Sequence, residues 1–546
     1  MGIKHFFQWY KKNMGRNITS LKKEQTVNEK GVRIDHLLLD LNGIFHMSAQ
    51  KVFKYGSHAP PKRLLKHNKA QAFIQNDKQT RAMVYEDVCA SIDDIVKMTR
   101  PSKSLILCID GPAPLGKQNQ QRQRRFRAAS ESEKDPIFDS NCITPGTEFM
   151  HDLGKYIDKY IETKTKTDEL WTDLHVLFSD EKVPGEGEHK AVEFVREHGK
   201  PDESYCINGP DADLFMLALA THKPNFYILR EDMYGNEGFF LVDIFKTRND
   251  LVRIMKWESE KHKFENENVV TDFIFMCFTV GNDFLPHIPS IEIIDDGIEM
   301  MINIYKDVCV TAGHMTKTNN KGKVVFNNET LKLFLQTIGE LEPTNFKKKL
   351  NKKESFFPDQ LMIQNSHKNL STWEINTEKY ISDYNVKHFE TSENTDNACH
   401  QYLQGLQWVL TYYTTGCPSW KWYYPFQYAP MASMLASSID TYKPARYGTT
   451  KPSTPFIQLL SVLPPKSANL IPDPLKQALL DPKSPMLKFC PTKLQIDLAG
   501  KRREWEGITL LPMVDQKIVT RLCSKYISSV PDEYLERNIL GVSKTY

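Results

Sequence analysis

Over residues 1 to about 300 this sequence predicts an α/β fold on a parallel or mixed sheet, and three observations carry that prediction. Five short apolar runs, HLLLDLN, SLILCID, LHVLFSD, SYCINGP and NFYILRE, have the length and composition of strands. Stretches with helical spacing separate several of them, such as YEDVCASIDDIVKMT and GEHKAVEFVREHG, and strands that alternate with helices make a sheet covered by helices. The third observation is chemical. Asp40, Asp110 and Asp211 directly follow apolar runs. They therefore belong at the carboxyl ends of strands, where open α/β sheets keep their ligand sites.

Taken in order, the N-terminal segment MGIKHFFQWYKKN has no signal-peptide apolar region, and Phe6 stands where a myristoylation signal at Gly2 needs Ser or Thr. The lysine-rich stretches 11–33 and 54–81 read as loops or insertions. Beyond Asp283 the segment GIEMMINIYKDVC is helical, and the run KKKLNKKE at 347–354 reads as a solvated face, with guidance of a substrate as the alternative. From about 370 the composition turns aromatic, and the Pro-punctuated tail to 546 is expected to wrap and brace the rest. The chain thus divides into a 1–300 catalytic unit and a 301–546 helical, aromatic-rich unit packed on it.

At 546 residues the chain is too long for one ordinary core. No apolar run approaches the roughly 18 residues that span a bilayer, which predicts a soluble protein with no membrane partner. Ten cysteines are scattered singly, without CxxC pairs or zinc spacing, and read as free thiols of a reducing compartment. The expected location is cytoplasmic, with a nuclear one also compatible. A net charge of +3 decides nothing by itself, but residues 116–127, GKQNQQRQRRFR, hold five basic residues and no acid. A basic patch beside an acidic site suits a polyphosphate substrate.

Seven acids form the candidate centre: Asp40, Asp110, Glu186, Glu188, Asp211, Asp213 and Asp283. Singly, each reads as a helix cap or a turn acid. Together at one sheet edge they would repel unless divalent cations neutralised them, and hard oxygen ligands favour Mg²⁺, with Mn²⁺ as the alternative. Two such ions suit phosphodiester hydrolysis. Lys117, Gln121, Arg124 and Arg125 follow the spacing i, i+4, i+7, i+8, which gathers them on one helix face as a phosphate receptor. His46, six residues after Asp40, is placed near the same cleft, and Trp420 and Trp422 lie in the most aromatic stretch. Aromatic rings of this kind stack on unpaired bases, although most residues in such a stretch are core.

The segments MGIKHFF, LDLNGIFH, IDGPAPLGKQNQQRQRRFR, PGEGEHK, GPDADLFMLALATH, GNDFLPHIP, GLQWVLTYYTTGCPSWKWYYPFQYAP, PFIQLLSVLPP and DLAGKRREWEGITLLP together resemble the Xrn family of 5′-to-3′ exoribonucleases, over nearly the whole chain. The resemblance implies a PIN-like/FEN-like, Rossmann-type nuclease core that works processively on single-stranded RNA with a 5′-monophosphate. It implies Mg²⁺ at the seven carboxylates and a 5′-phosphate pocket of Lys117, Gln121, Arg124 and Arg125. By the same resemblance His46 stacks on the first base, Trp420 (in preference to Trp422) holds the other end of a base stack, and the segment from Gly2 closes the back of the channel. Lys4 and Leu115-Gly116 depart from the family pattern and leave the local shape open. A compact, monomeric enzyme is expected, with any activating partner unknown. Two competing readings are a flap-type DNA 5′ nuclease and a catalytically silent RNA-binding scaffold. QQRQRRFR and SWKWYY speak against the first, and the complete acid set speaks against the second.

Overall fold

The computed structural model describes residues 3–59, 76–131, 137–232, 238–352 and 357–546, so the expectation for Gly2 lies outside the described residues. Eight strands form the main sheet: β1 (Ile18–Lys22), β2 (His36–Asp40), β3 (Ser104–Cys108), β4 (His175–Ser179), β5 (Ser204–Asn208), β6 (Asn225–Glu231), β7 (Gly238–Asp243) and β8 (Lys544–Thr545). Their spatial order is β1-β7-β6-β5-β2-β3-β4-β8. The five predicted strands are β2 to β6, and every pairing among them is parallel. Every residue of β2, β3 and β5 is buried, as near-continuous apolar runs in the middle of a parallel sheet must be.

Alternation along those strands feeds two cores. Leu38, Ile106 and Ile207 face one, and Leu37, Leu39, Leu105 and Leu107 face the other. The helical second half packs into the first of these, where Tyr402, Leu406 and Trp408 from the helix Ser392–Thr414 are fully buried. The chain's end then returns to the sheet, since β8 pairs antiparallel with β4 through Lys544 to Phe178 and Thr545 to Leu177. The tail thus supplies one edge strand of the main sheet.

The reading of 11–33 as loop is corrected. Residues 6–14 form helix α1 (Phe6–Met14), and β1 lies antiparallel along β7 in register from Ile18–Val242 to Lys22–Gly238. Within ITSLK only Leu21 is buried, so this polar edge strand has little local signal and its pairing decides its structure. Of the 54–81 stretch, residues 60–75 lie outside the described residues; Gly56–His58 is a single turn, and a long helix, Lys78–Thr99, begins at its end. The basic run at 347–352 ends the helix Asn328–Leu350 and is spent on ion pairs, Lys347 with Glu374 at 2.6 Å, Lys349 with Glu292 and Lys352 with Asp295. Residues 353 and 354 of that run lie outside the described residues.

All ten cysteines are free. Among the described residues no helix is long and apolar enough to cross a membrane. The sheet order sets the position of the site. From β2 the chain steps through β3 to β4 on one side, then returns to place β5 and β6 on the other. The carboxyl ends of β2 and β5 therefore flank a topological switch point, the crevice where such sheets bind ligands.

Candidate active site

Asp40 is the last residue of β2 and precedes helix α2 (Leu41–Phe53). Asp110 lies two residues beyond β3, held from both sides: its backbone N–H donates to Asn42 Oδ1 at 2.9 Å, and its Oδ1 accepts the Gly187 N–H at 2.7 Å. Opposite begins a helix, Gly187–His198, with Glu186 just before it and Glu188 in its first turn. Acids are favoured there because the exposed N–H groups of a helix N-terminus carry partial positive charge. Glycine at 187 is a packing requirement, since a Cβ would stand 2.6 Å from Asp40 Oδ1.

These loops bring oxygens of Asp40, Asp110 and Glu188 within 4.8 Å of one another. Asp40 Oδ1 is buried without a hydrogen-bond partner. Burial, and then the charges of Asp110 and Asp211, push the Asp40 carboxyl well above the usual carboxylate range. Glu188 is raised as well: burial outweighs the help it gets from Lys117, and the Glu186 and Asp40 charges add to the rise. So much negative charge in so small a buried volume fits a cation, and an all-oxygen donor set fits a hard one.

The remaining four acids divide. Asp211 lines the same cavity. Glu186 and Asp283 instead surround the Lys117 ammonium, which stands 2.7 Å from Asp283 Oδ2, 3.9 Å from Glu188 Oε1 and in ion-pair contact with Glu186 Oε2. The Tyr412 hydroxyl donates to Glu186 Oε1 at 2.9 Å, and its ring stacks on His189 at 3.7 Å. Asp213 begins helix Asp213–Ala220 and accepts the Ile3 N–H at 3.0 Å; burial and then Asp283 push it up to about 7.

The cavity holds about 610 Å³ between two helices. One wall is α2, with Gly43, His46, Met47 and Gln50; the other is the helix Leu115–Glu131, with Lys117, Gln121, Arg124 and Arg125. The predicted helix face is thus present, and its members differ. Arg125 forks onto Thr144 Oγ1 at 3.0 and 2.8 Å. Gln121 is buried, with its Oε1 turned to Gln458 Nε2 at 3.4 Å. Arg124 is exposed, and among the described residues no carboxylate lies within ion-pair distance of it.

Family comparison agrees with this geometry. Residues 1–232 match the family described as XRN 5'-3' exonuclease N-terminus, and residues 263–398 and 376–546 match the Xrn1 helical domain. This chain belongs to the Xrn family. Among its relatives, a 5'-3' exoribonuclease 2 homolog of Drosophila melanogaster is 28% identical over 100% of this chain and 73% of the relative. The 5'-3' exoribonuclease 2 of Gallus gallus is 29% identical over 99% of this chain and 72% of its own length. Homo sapiens 5'-3' exoribonuclease 1 is 30% identical over 98% of this chain and 35% of its own. The catalytic core of Rad2 in complex with a DNA substrate aligns with 71% of this chain and 97% of its own at 12% identity and a TM-score of 0.30, too loose an overlap to bear on function.

In this Xrn-family chain the two tryptophans separate clearly. Trp422 is buried, stacked on Trp408 at 5.1 Å, and presses on Gly405. Trp420 is half-buried; its carbonyl accepts the Leu115 N–H at 2.9 Å at the start of the wall helix, but its side chain is not part of the cavity lining. Trp422→Ala is expected to destabilise the fold by about 3–5 kcal/mol, the cost of emptying a core tryptophan site, and Trp420→Ala to leave denaturant midpoints unchanged. Equal loss of stability in the two variants would refute the division.

His46 lines the cavity, and burial followed by the charges of Arg124 and Arg125 lowers its pKa to about 4. The ring is therefore neutral at ordinary pH, suited to stacking and not to pairing with phosphate. His46→Ala should weaken RNA binding about 5- to 150-fold, the range for one lost base stack. That ratio to wild type should stay flat from about pH 5.5 to about pH 8, a window in which an unperturbed histidine titrates. A ratio that grows as pH falls would mean that the ring acts as a cation.

Sequence reasoning missed three residues that shape the site: Asn42, which fixes the Asp110 loop; Tyr412, which orients Glu186; and Gln458, which meets Gln121. Asn42 had a local signal, two residues after a strand-end acid. The other two reach the site across 226 and 337 positions of sequence.

Proposed function

We propose that this chain is a 5′-to-3′ exoribonuclease that removes nucleotides one after another from single-stranded RNA with a 5′-monophosphate, using Mg²⁺, or Mn²⁺ in its place. One observation carries the reading. The Asp40, Asp110 and Glu188 cluster and the exposed Arg124 guanidinium line a single cavity of about 610 Å³, wide enough for a nucleotide. Asp40, Asp110 and Glu188 would hold a divalent cation, Glu186, Asp211, Asp213 and Asp283 would serve a second, and a cation bound there would supply Lewis-acid stabilisation of charge on the scissile phosphate.

The rest is done by the chain's own side chains. Arg124 offers a planar fork to a terminal phosphate, Arg125, with one edge held on Thr144, adds its charge and remaining N–H groups, and Gln121 adds a neutral donor. The neutral His46 ring offers a face to the first base. Together they place the first internucleotide linkage toward the carboxylates and fix the cutting register at one nucleotide. The support is the family's exonuclease relationship and the pairing of an acidic end with a basic wall in one cavity.

The test is a panel of otherwise identical RNAs labelled at either end and carrying a hydroxyl, monophosphate, triphosphate or cap, with a 5′-flap DNA alongside. Mononucleotides released from the 5′ side of the monophosphate RNA alone are the expected result. Preferential cutting of the DNA flap, or binding of RNA without cleavage in Mg²⁺, would replace this reading with one of the two competitors.

A further inference from the structure

Lys117 is placed in two environments at once. Its stem belongs to the helix face shared with Gln121, Arg124 and Arg125 and lines the cavity. Its ammonium, however, is held by carboxylates. It contacts Glu186, stands 2.7 Å from Asp283 Oδ2 and 3.9 Å from Glu188 Oε1, and so sits among oxygens that a divalent cation at this end of the cluster would use. Glu188 belongs to both groups, since it is also one of the three acids whose oxygens converge within 4.8 Å.

We propose that Lys117 is an exchangeable counter-ion: its ammonium neutralises Glu186 and Asp283 until a divalent cation takes those oxygens, and the released side chain then turns into the cavity to meet a 5′-phosphate. This rests on the nuclease reading above and deepens it. The geometry allows one ammonium to serve only one environment at a time. A lysine has a flexible four-carbon stem and carries a compact charge, so it can change partners without moving the helix. Burial works against the ammonium, but Asp283, Glu186 and Glu188 outweigh it and hold its pKa above the ordinary lysine value while it faces them.

Coupling follows by linkage. If cation entry releases Lys117 toward the phosphate, phosphate binding must favour cation entry by the same factor. RNA with a 5′-monophosphate would then help to load the metal needed to cut it, and a strand with a 5′-hydroxyl would not. End discrimination in this arrangement acts on metal occupancy as well as on binding.

Mn²⁺ binding is measured by calorimetry on this chain, with adenosine 5′-monophosphate or adenosine as probe; neither has an internucleotide linkage to cleave. In wild type the nucleotide should tighten Mn²⁺ roughly tenfold and adenosine should not, a coupling of ordinary allosteric size. Lys117→Met should bind Mn²⁺ about tenfold more tightly without nucleotide and lose most of the coupling, any remainder being direct contact between phosphate and metal. A second readout needs no variant. Acetylation of Lys117 in wild type, followed by mass spectrometry, should be slow without Mn²⁺ and accelerate with it. A Lys117→Met protein with unchanged Mn²⁺ affinity, or wild-type labelling indifferent to Mn²⁺, overturns the exchange and leaves the metal site standing. Wild type that binds no Mn²⁺ overturns both.

Discussion

Asp110→Asn is expected to cut turnover at least about a thousandfold, while affinity for 5′-monophosphate RNA changes by less than about threefold. The first number follows from removing one anionic ligand of the proposed catalytic cation, which would supply several kcal/mol of transition-state stabilisation; about 4 kcal/mol corresponds to about a thousandfold. The second follows because the proposed grip on the terminal phosphate comes from the basic wall and not from Asp110. Asparagine suits the test because it keeps the shape of the residue. Its Oδ1 can still accept the Gly187 N–H, a 2.7 Å bond in the native site, and the backbone bond to Asn42 is untouched. The loop should therefore stay in place while the charge is lost. Removing one charge from a crowded acidic cluster should leave the melting temperature level or raise it, the usual relation where an active site stores repulsion. Single-turnover cleavage, fluorescence anisotropy and calorimetry separate these three effects. Turnover within tenfold of wild type would remove Asp110 from the metal site.

What could be read in advance depended on whether a signal was local. Asp40 and Asp110 were legible because each ends an apolar run long enough to be a strand, and that placement needs no knowledge of the neighbours. Glu186 and Glu188 were legible from PGEGEHK, a turn that opens a helix with amphipathic spacing. The edge strand β1 was not, because ITSLK buries only Leu21 and takes its form from pairing with β7. Lys117 shows the limit most directly. Helical spacing placed it correctly on the face with Gln121, Arg124 and Arg125, but its ammonium answers to Asp283, 166 positions away, and no pattern along the helix could reveal that. In SWKWYY, the choice between Trp420 and Trp422 depended on which ring the chain turns toward Trp408.

Arg124→Ala is expected to erase most of the preference for 5′-monophosphate over 5′-hydroxyl RNA while leaving the chemical step intact. Among the wall residues it is the cleanest probe. Arg125 is committed to Thr144, Gln121 to Gln458 and Lys117 to the carboxylates, so removing any of them also disturbs a structural partner. Arg124 is exposed, and among the described residues it pairs with no carboxylate, so its loss should cost the fold little. A hydrogen bond between charged groups contributes about 1.5–3 kcal/mol, which corresponds to a fall of about 10- to 150-fold in kcat/KM on monophosphate RNA. The hydroxyl substrate never makes that bond, so its kcat/KM should not move, and the ratio between the two substrates should collapse by the same factor. At saturating RNA the maximal rate should stay near wild type, because the proposed role of the guanidinium is to hold the end of the strand and not the reacting phosphate. Arg124→Lys should keep only part of the preference, since an ammonium supplies the charge without the bidentate fork. An alanine variant that loses the same factor on both substrates would show that Arg124 acts on the strand at large, and the assignment of this wall to the 5′ end would then fall.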